Sequence, residues 1–84
     1  MTTLKLKLAD AIDMLAEAFD EPAQSLQPER LRESIAGWDS MGALLLIAEI
    51  EERFEVELSA EESRGMTQIA DVLKFLRRHE LLEE

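Results

Sequence analysis

The stretch that decides the fold is "GWDSMGALLLI", Gly37 to Ile47, in which a polar Asp39-Ser40 step, preceded by the only tryptophan of the chain, opens onto a run of aliphatic residues. Carried on to Phe54, that run reads as a helix from Ser40. Met41, Leu44, Ile47, Ala48, Ile50 and Phe54 can form a broad buried face, and Leu45 and Leu46 widen it. Apolar residues around so much of the circumference predict a central helix that touches more than one neighbour. At its start, a serine oxygen can accept a hydrogen bond from an otherwise unpaired helical amide, and Asp39 complements the positive end of the helix dipole. The same position suits a phosphoryl group, because several unpaired amides point toward it. Gly42 adds little bulk close by.

Working outward, Leu8, Ala11, Ile12, Leu15, Ala16 and Phe19 recur at spacings of three and four, which predicts a first helix over about Thr3 to Phe19. The "TLKLKL" lead alternates like a strand, so Leu4 and Leu6 can belong to an extended segment instead. Asp20 to Asp39 holds both prolines and reads as a long loop pinned by Leu26, Leu31, Ile35 and Trp38, with room for a short helical turn over Pro28 to Ser34. Ordered loops of this length usually serve a function. Beyond helix two, "EVEL" is a linker that tucks Val56 and Leu58 into the core. "SAEE" at Ser59 to Glu62 has capping-box form and starts a short third helix ending near Gly65. Thr67 is placed to cap a fourth helix with the stripe Ile69, Val72, Leu73 and Leu76, running to about His79. The sum is an all-α, four-helix bundle with a long loop between helices one and two and a short third helix. There is no repeat, low-complexity tract or linker, so residues 1–84 are expected to form a single domain.

Eighty-four residues allow one modest core and leave little room for a deep enzymatic cleft. Nine basic residues against nineteen acidic ones give a net charge of −10, which repels nucleic acid and anionic lipid and favours basic partner surfaces. The acids are concentrated after the Asp39-Ser40 step: residues 39–62 hold eight acids and one base, whereas residues 63–84 hold four of each. No apolar run is long enough to cross a membrane, and "MTTLKLKLAD" lacks the features of an export signal, so a cytoplasmic place and no membrane partner are expected. The absence of cysteine removes disulfides and any thiol of the polypeptide's own. A protein of this sequence that handles thioesters needs a supplied sulfur.

No catalytic residue stands out. His79 is the single histidine and no motif gives it a nucleophilic partner; the paired glutamates carry little information in so acidic a chain, and no stretch has calcium-loop spacing. No metal ligands are expected, and the protein is read as a non-enzyme. Two functions remain open from the residues: a carrier tethered through the serine, and an unmodified acidic helical interaction module in which Ser40 is only a helix cap.

"GWDSMGALLLIAEIEERFEVELS", continued by "QIADVLKFL", resembles the acyl carrier and peptidyl carrier family, whose motif is Asp-Ser-Leu at the start of the second helix of a four-helix bundle. "SLQPERLRESI" stands in place of the family's loop. The resemblance implies a fold of acyl-carrier type and 4′-phosphopantetheine, covalently attached to Ser40 from coenzyme A by a phosphopantetheinyl transferase that Asp39 assists. The arm would supply the missing thiol and hold acyl or aminoacyl groups as thioesters. Its partners would be acyl or aminoacyl ligases and synthases with basic docking surfaces, and the chain itself is expected to be a monomer. Met41 replaces the usual leucine, and Gly42 and Leu45 stand where carriers of primary fatty acid synthesis commonly have acids. Met41, Leu45, Glu49, Glu51 and Glu52 are the expected partner-binding residues, with a solvated face as the plainer role for the glutamates. These departures point to a dedicated fatty-acid-like, polyketide or other specialised pathway. "DSMG" also resembles discrete carriers of D-alanine, which leaves an amino acid cargo open. Met14, Ile47, Leu73 and Leu76 are expected in the core, though some family members sequester an acyl chain between helices two and four. Trp38 is expected to anchor the loop.

Overall fold

Helix α1 spans Leu8–Phe19 because Ala11, Met14, Leu15, Ala18 and Phe19 fall on one face, and all five are buried in the computed structural model, which describes residues 6–83. The helix stops at Asp20, which takes a left-handed conformation (φ 54°) that aspartate tolerates better than most residues, and its amide donates to the Ala16 carbonyl. The predicted start at Thr3 and the place of Leu4 lie outside the described residues. Leu6–Lys7 is not helical: this segment, β1, pairs in parallel with β2, Leu82–Glu83, in the register Leu6 to Leu82.

The loop from Asp20 to Asp39 is ordered by bonds that a sequence pattern does not reveal. It contains two single turns of 3-10 helix, Ala23–Ser25 and Arg32–Ser34. Leu26, Ile35 and Trp38 are buried as expected; Leu31 is not, with 47% of its surface exposed. Leu31 instead forms an antiparallel bridge with Gln68 through the backbone. The Arg32 amide donates to the Thr67 carbonyl (2.8 Å), and the carbonyls of Arg30 and Pro28 accept from Ile69 (3.1 Å) and Ala70 (2.7 Å). Those two amides lie in the first turn of the fourth helix and have no partner within it, so the loop completes that helix while being held by it. Arg30 gathers the rest, reaching Glu21, the Ser25 carbonyl and Ser34.

Helix α2 is Ser40–Phe54. Its inner face is narrower than predicted: Gly42, Ala43, Leu46 and Ile50 are buried and Ile47 and Phe54 half-buried, while Met41, Leu44, Leu45 and Ala48 are exposed. The cause is how closely the helix approaches its neighbours. A Cβ on Gly42 would stand 1.9 Å from the Gly37 carbonyl oxygen, and one on Gly37 would stand 1.7 Å from that of Phe19. The helix start therefore packs backbone against backbone on the loop and on the end of α1. With that side fixed inward, residues 100° to 180° around the helix face solvent whatever their hydropathy.

Helix α3, Ala60–Arg64, is capped as predicted by Ser59, whose hydroxyl accepts from the Glu62 amide (3.0 Å). The Glu62 carboxylate pairs with Arg78. Helix α4, Ile69–Arg78, buries Ile69, Val72, Leu73, Phe75 and Leu76. Thr67 is not its cap. The helix begins after Gln68, and the Asp71 carboxylate accepts from the Thr67 amide (2.8 Å), the Thr67 hydroxyl (3.2 Å) and the Gln68 amide (3.3 Å). Past α4 a left-handed Glu80 (φ 57°) turns the chain back, burying Leu81 and Leu82 and bringing β2 beside β1. The all-α bundle of four helices stands, with this short clasp added.

Candidate functional site

Three consecutive residues divide the work at the start of α2. Trp38 is the anchor: only 3% exposed, its ring stacks on Phe19 with centroids 4.7 Å apart and planes 16° from parallel. The Arg32 guanidinium lies over the same ring at 5.2 Å, donates from Nε to the Trp38 carbonyl (3.3 Å), and from Nη1 reaches the carbonyls of Ser63 (3.1 Å) and Met66 (3.4 Å). One side chain thus ties the loop to the end of α3. Asp39 is the cap: its Oδ1 accepts from the Gly42 amide at 2.9 Å, and its backbone carbonyl accepts from Ala43. Ser40 is left over. It is the first residue of the helix, it is exposed, and its hydroxyl makes no hydrogen bond among the described residues. The capping role open to Ser40 from the sequence belongs to Asp39.

An open groove of about 850 Å³ starts at Asp39 and Ser40 and runs along Leu31, Arg32 and Trp38 to Arg64 and Met66. On the other side of Ser40, the outer face of α2 presents two successive zones. Met41 (64% exposed), Leu44 (59%), Leu45 (47%) and Ala48 make an apolar stripe over the first turns, and Glu51, Glu52 and Glu55 continue it toward the end of the helix. Glu49 flanks the stripe and pairs with Arg53 at 2.9 Å. The structure so brings Met41, Leu45, Glu49 and Glu52 onto one face next to Ser40, with Glu51 at its margin. Leu44 and Ala48 belong to that face and were assigned to the core by sequence reasoning. A helical wheel centred on Leu46 and Ile50 was the signal that could have separated them.

His79 rests against Phe75 (4.4 Å between rings). Among the described residues no cluster of acids and histidine is arranged to hold a metal ion, and no helix is long and apolar enough to cross a membrane.

The sequence profile described as phosphopantetheine attachment site matches residues 9–76, most of the chain. The chain belongs to that family. It is similar to an acyl carrier protein of Helicobacter pylori strain J99, 28% identical over 68 residues that cover 81% of this chain and 87% of the relative. It is likewise similar to an acyl carrier protein of Syntrophus aciditrophicus strain SB, 29% identical over 66 residues, 79% of this chain and 82% of the relative. As a member of the phosphopantetheine attachment family the protein is a carrier, and its cofactor is covalently bound 4′-phosphopantetheine. It works with a transferase that attaches this group and with synthases or ligases that load it.

The residues at the head of α2 fit such a group. An ester-forming hydroxyl has to be reachable and uncommitted, and the Ser40 hydroxyl is both. A phosphate beside it would lie at the positive end of a helix of fifteen residues, close to first-turn amides.

Proposed function

We propose that Ser40 is the attachment residue and that the protein is one carrier domain, residues 1–84, acting as a monomer in the cytoplasm. The observation that carries this is the division between Asp39 and Ser40. Asp39 already satisfies the Gly42 amide, which leaves the neighbouring hydroxyl exposed and without a structural task. An ester forms between Ser40 Oγ and the pantetheine-bearing phosphorus of coenzyme A, adenosine 3′,5′-bisphosphate leaves, and the hydroxyl proton passes to a base of the transferase. Asp39, exposed beside Ser40, assists that enzyme with its remaining carboxylate oxygen. When bound, the group supplies the thiol that the cysteine-free chain lacks, so acyl or aminoacyl cargo is held as a thioester.

What the chain's own residues contribute is position and recognition. The backbone contact at Gly37 and Gly42 fixes the helix start, so Ser40 is presented rigidly. Met41 and Leu45 offer apolar contact beside it, and Glu49, Glu51 and Glu52 extend an acidic surface toward basic residues of a ligase or synthase. Leucine rather than an acid at position 45 supports a dedicated partner of a fatty-acid-like, polyketide or aminoacyl pathway, because an apolar contact discriminates by shape where a charge alone does not.

Incubation with coenzyme A and a broad-specificity transferase, followed by intact-mass measurement, tests the assignment. The wild type is expected to gain one phosphopantetheinyl group and Ser40→Ala none. Retention of the gain by Ser40→Ala would move the attachment elsewhere.

A further inference from the structure

The groove beside Ser40 has features that presentation of the hydroxyl does not require. Trp38 lines it, is almost wholly buried, and its indole Nε1–H has no hydrogen-bond partner. A buried donor of this kind is normally satisfied, so an acceptor is missing from the wall. Arg64 also lines the groove, is exposed, and makes no ion pair or hydrogen bond among the described residues. Leu31 lies on the same wall with 47% of its surface exposed, although the loop around it is well ordered by backbone bonds to α4. An orphaned donor, an uncommitted cation and bared apolar side chains together describe a site for a ligand with carbonyl acceptors on an apolar frame.

The charge of the wall narrows the class. Arg32 and Arg64 are matched by Glu33 and Asp39, so the groove has no net excess of either sign. That balance favours a neutral, amide-bearing ligand over a second free anion. Arg32 closes the deeper route, since its bonds to the carbonyls of Trp38, Ser63 and Met66 bridge the loop and the end of α3. The ligand therefore lies along the surface. A chain of two amides with geminal methyl groups, tethered at Ser40 on the rim, meets each of these requirements.

We propose that this groove is the resting place of the protein's own phosphopantetheine arm between partner encounters. The Trp38 indole N–H and the Arg64 guanidinium donate to its amide carbonyls, and Leu31 and Met66 cover its geminal methyls. This rests on the assignment of the arm to Ser40. The residues involved lie in the loop and after α3, away from the outer face of α2, so a carrier can dock while the arm is parked and release it into the partner afterwards.

Nuclear magnetic resonance of the modified protein tests this. Trp38 is the only tryptophan, so the indole N–H gives one resonance to follow. On attachment of the arm that resonance is expected to move downfield, and the arm's geminal methyls should show through-space contacts to Leu31 and Met66. Trp38→Phe keeps an aromatic ring against Phe19 but removes the donor, and Leu31→Glu changes an exposed residue without touching the core. In each, the methyl contacts should weaken and alkylation of the arm's thiol by a maleimide should quicken about threefold, the factor for an arm parked about two-thirds of the time. Mass gain at Ser40 with an unmoved indole resonance and no methyl contacts would overturn the groove and leave the attachment standing. Absence of mass gain would overturn both.

Discussion

Helices α2 and α4 are both rich in aliphatic residues and use them in opposite ways. In α4 each of Ile69, Val72, Leu73, Phe75 and Leu76 is buried, and Lys74, Arg77 and Arg78 point to solvent. In α2 the buried side chains are Ala43, Leu46 and Ile50, while Met41, Leu44 and Leu45 are each about half exposed or more. The apolar content of α4 equals what the core takes up; that of α2 exceeds it. Exposed apolar residues scattered singly need no explanation, but four on one face beside an exposed reactive hydroxyl form a patch whose free energy is recovered only on docking. Burial thus separates residues that make the fold from residues of the same kind that make a contact.

The contrast breaks most severely at the close approach that orients α2. Gly42→Ala adds a methyl 1.9 Å from the Gly37 carbonyl oxygen and 3.3 Å from the Phe19 ring, and the clash with backbone has no rotamer to relieve it. A loss of at least about 3 kcal/mol is expected in urea denaturation, the upper range for overpacking. Chain that still folds should have the inner and outer faces of α2 rotated, with Leu44 more protected from solvent. A stability equal to wild type would show that the helix start is not held by backbone contact.

Within α2 the comparison sharpens to two leucines two residues apart. Leu46→Ala empties a fully buried site and should lower stability by about 3 kcal/mol, whereas Leu44→Ala, at an exposed site, should change it by under about 0.5 kcal/mol. Loading by the cognate ligase should show the reverse ranking. Leu44→Ala is expected to raise the ligase KM for the carrier about tenfold, equivalent to about 1.4 kcal/mol of lost contact, with kcat unchanged. Equal KM values for wild type and Leu44→Ala would remove the stripe from the docking surface.

These two leucines also mark how far the fold was legible in the sequence. The stripe of α4 gave both the helix and its buried face, because every apolar residue there sits within one arc and the charged ones fill the rest. In α2 the periodicity gave the helix and its bounds, Ser40 to Phe54, but not its orientation: with apolar residues around most of the circumference, no arc is singled out. Orientation came from Gly37 and Gly42, whose role depends on a neighbour's backbone and leaves no local pattern. The loop stitches at Pro28, Arg30 and Arg32 were hidden for the same reason, being backbone bonds between distant segments. Of the site, the Asp39-Ser40 step was legible from its place at a helix start. Which of the two residues caps the helix was not, since both are good caps and only geometry chooses.

That choice gives a smaller and cleaner test. Asp39→Ala removes the acceptor of the Gly42 amide and should cost about 1 kcal/mol, the usual loss for a cap. Ser40→Ala removes a hydroxyl without a partner and puts the best helix former at an exposed helical position, so stability should stay within about 0.3 kcal/mol of wild type or rise. Thermal melts of the two variants at one pH decide it. Were Ser40→Ala the more damaging of the pair, the hydroxyl would have a structural role and the argument for its availability would fail.

The mildest effect expected is that of the acidic zone below the stripe. Glu51 and Glu52 are exposed, and charges of this kind act mainly on the encounter, raising the association rate at low ionic strength and fading as salt shortens the screening length from about 10 Å at 0.1 M to about 3 Å at 1 M. Glu52→Gln should therefore lower kcat/KM for loading by about twofold in dilute buffer and leave it unchanged in 1 M salt, while the loss from Leu44→Ala persists at both. The two zones of one helix face are separable in this way because an apolar contact resists dissociation and is not screened, whereas a distant charge only guides approach. A Glu52→Gln defect that survived high salt would mean that the carboxylate makes a direct bond in the complex, and the boundary between guiding and gripping would then lie one turn further along α2.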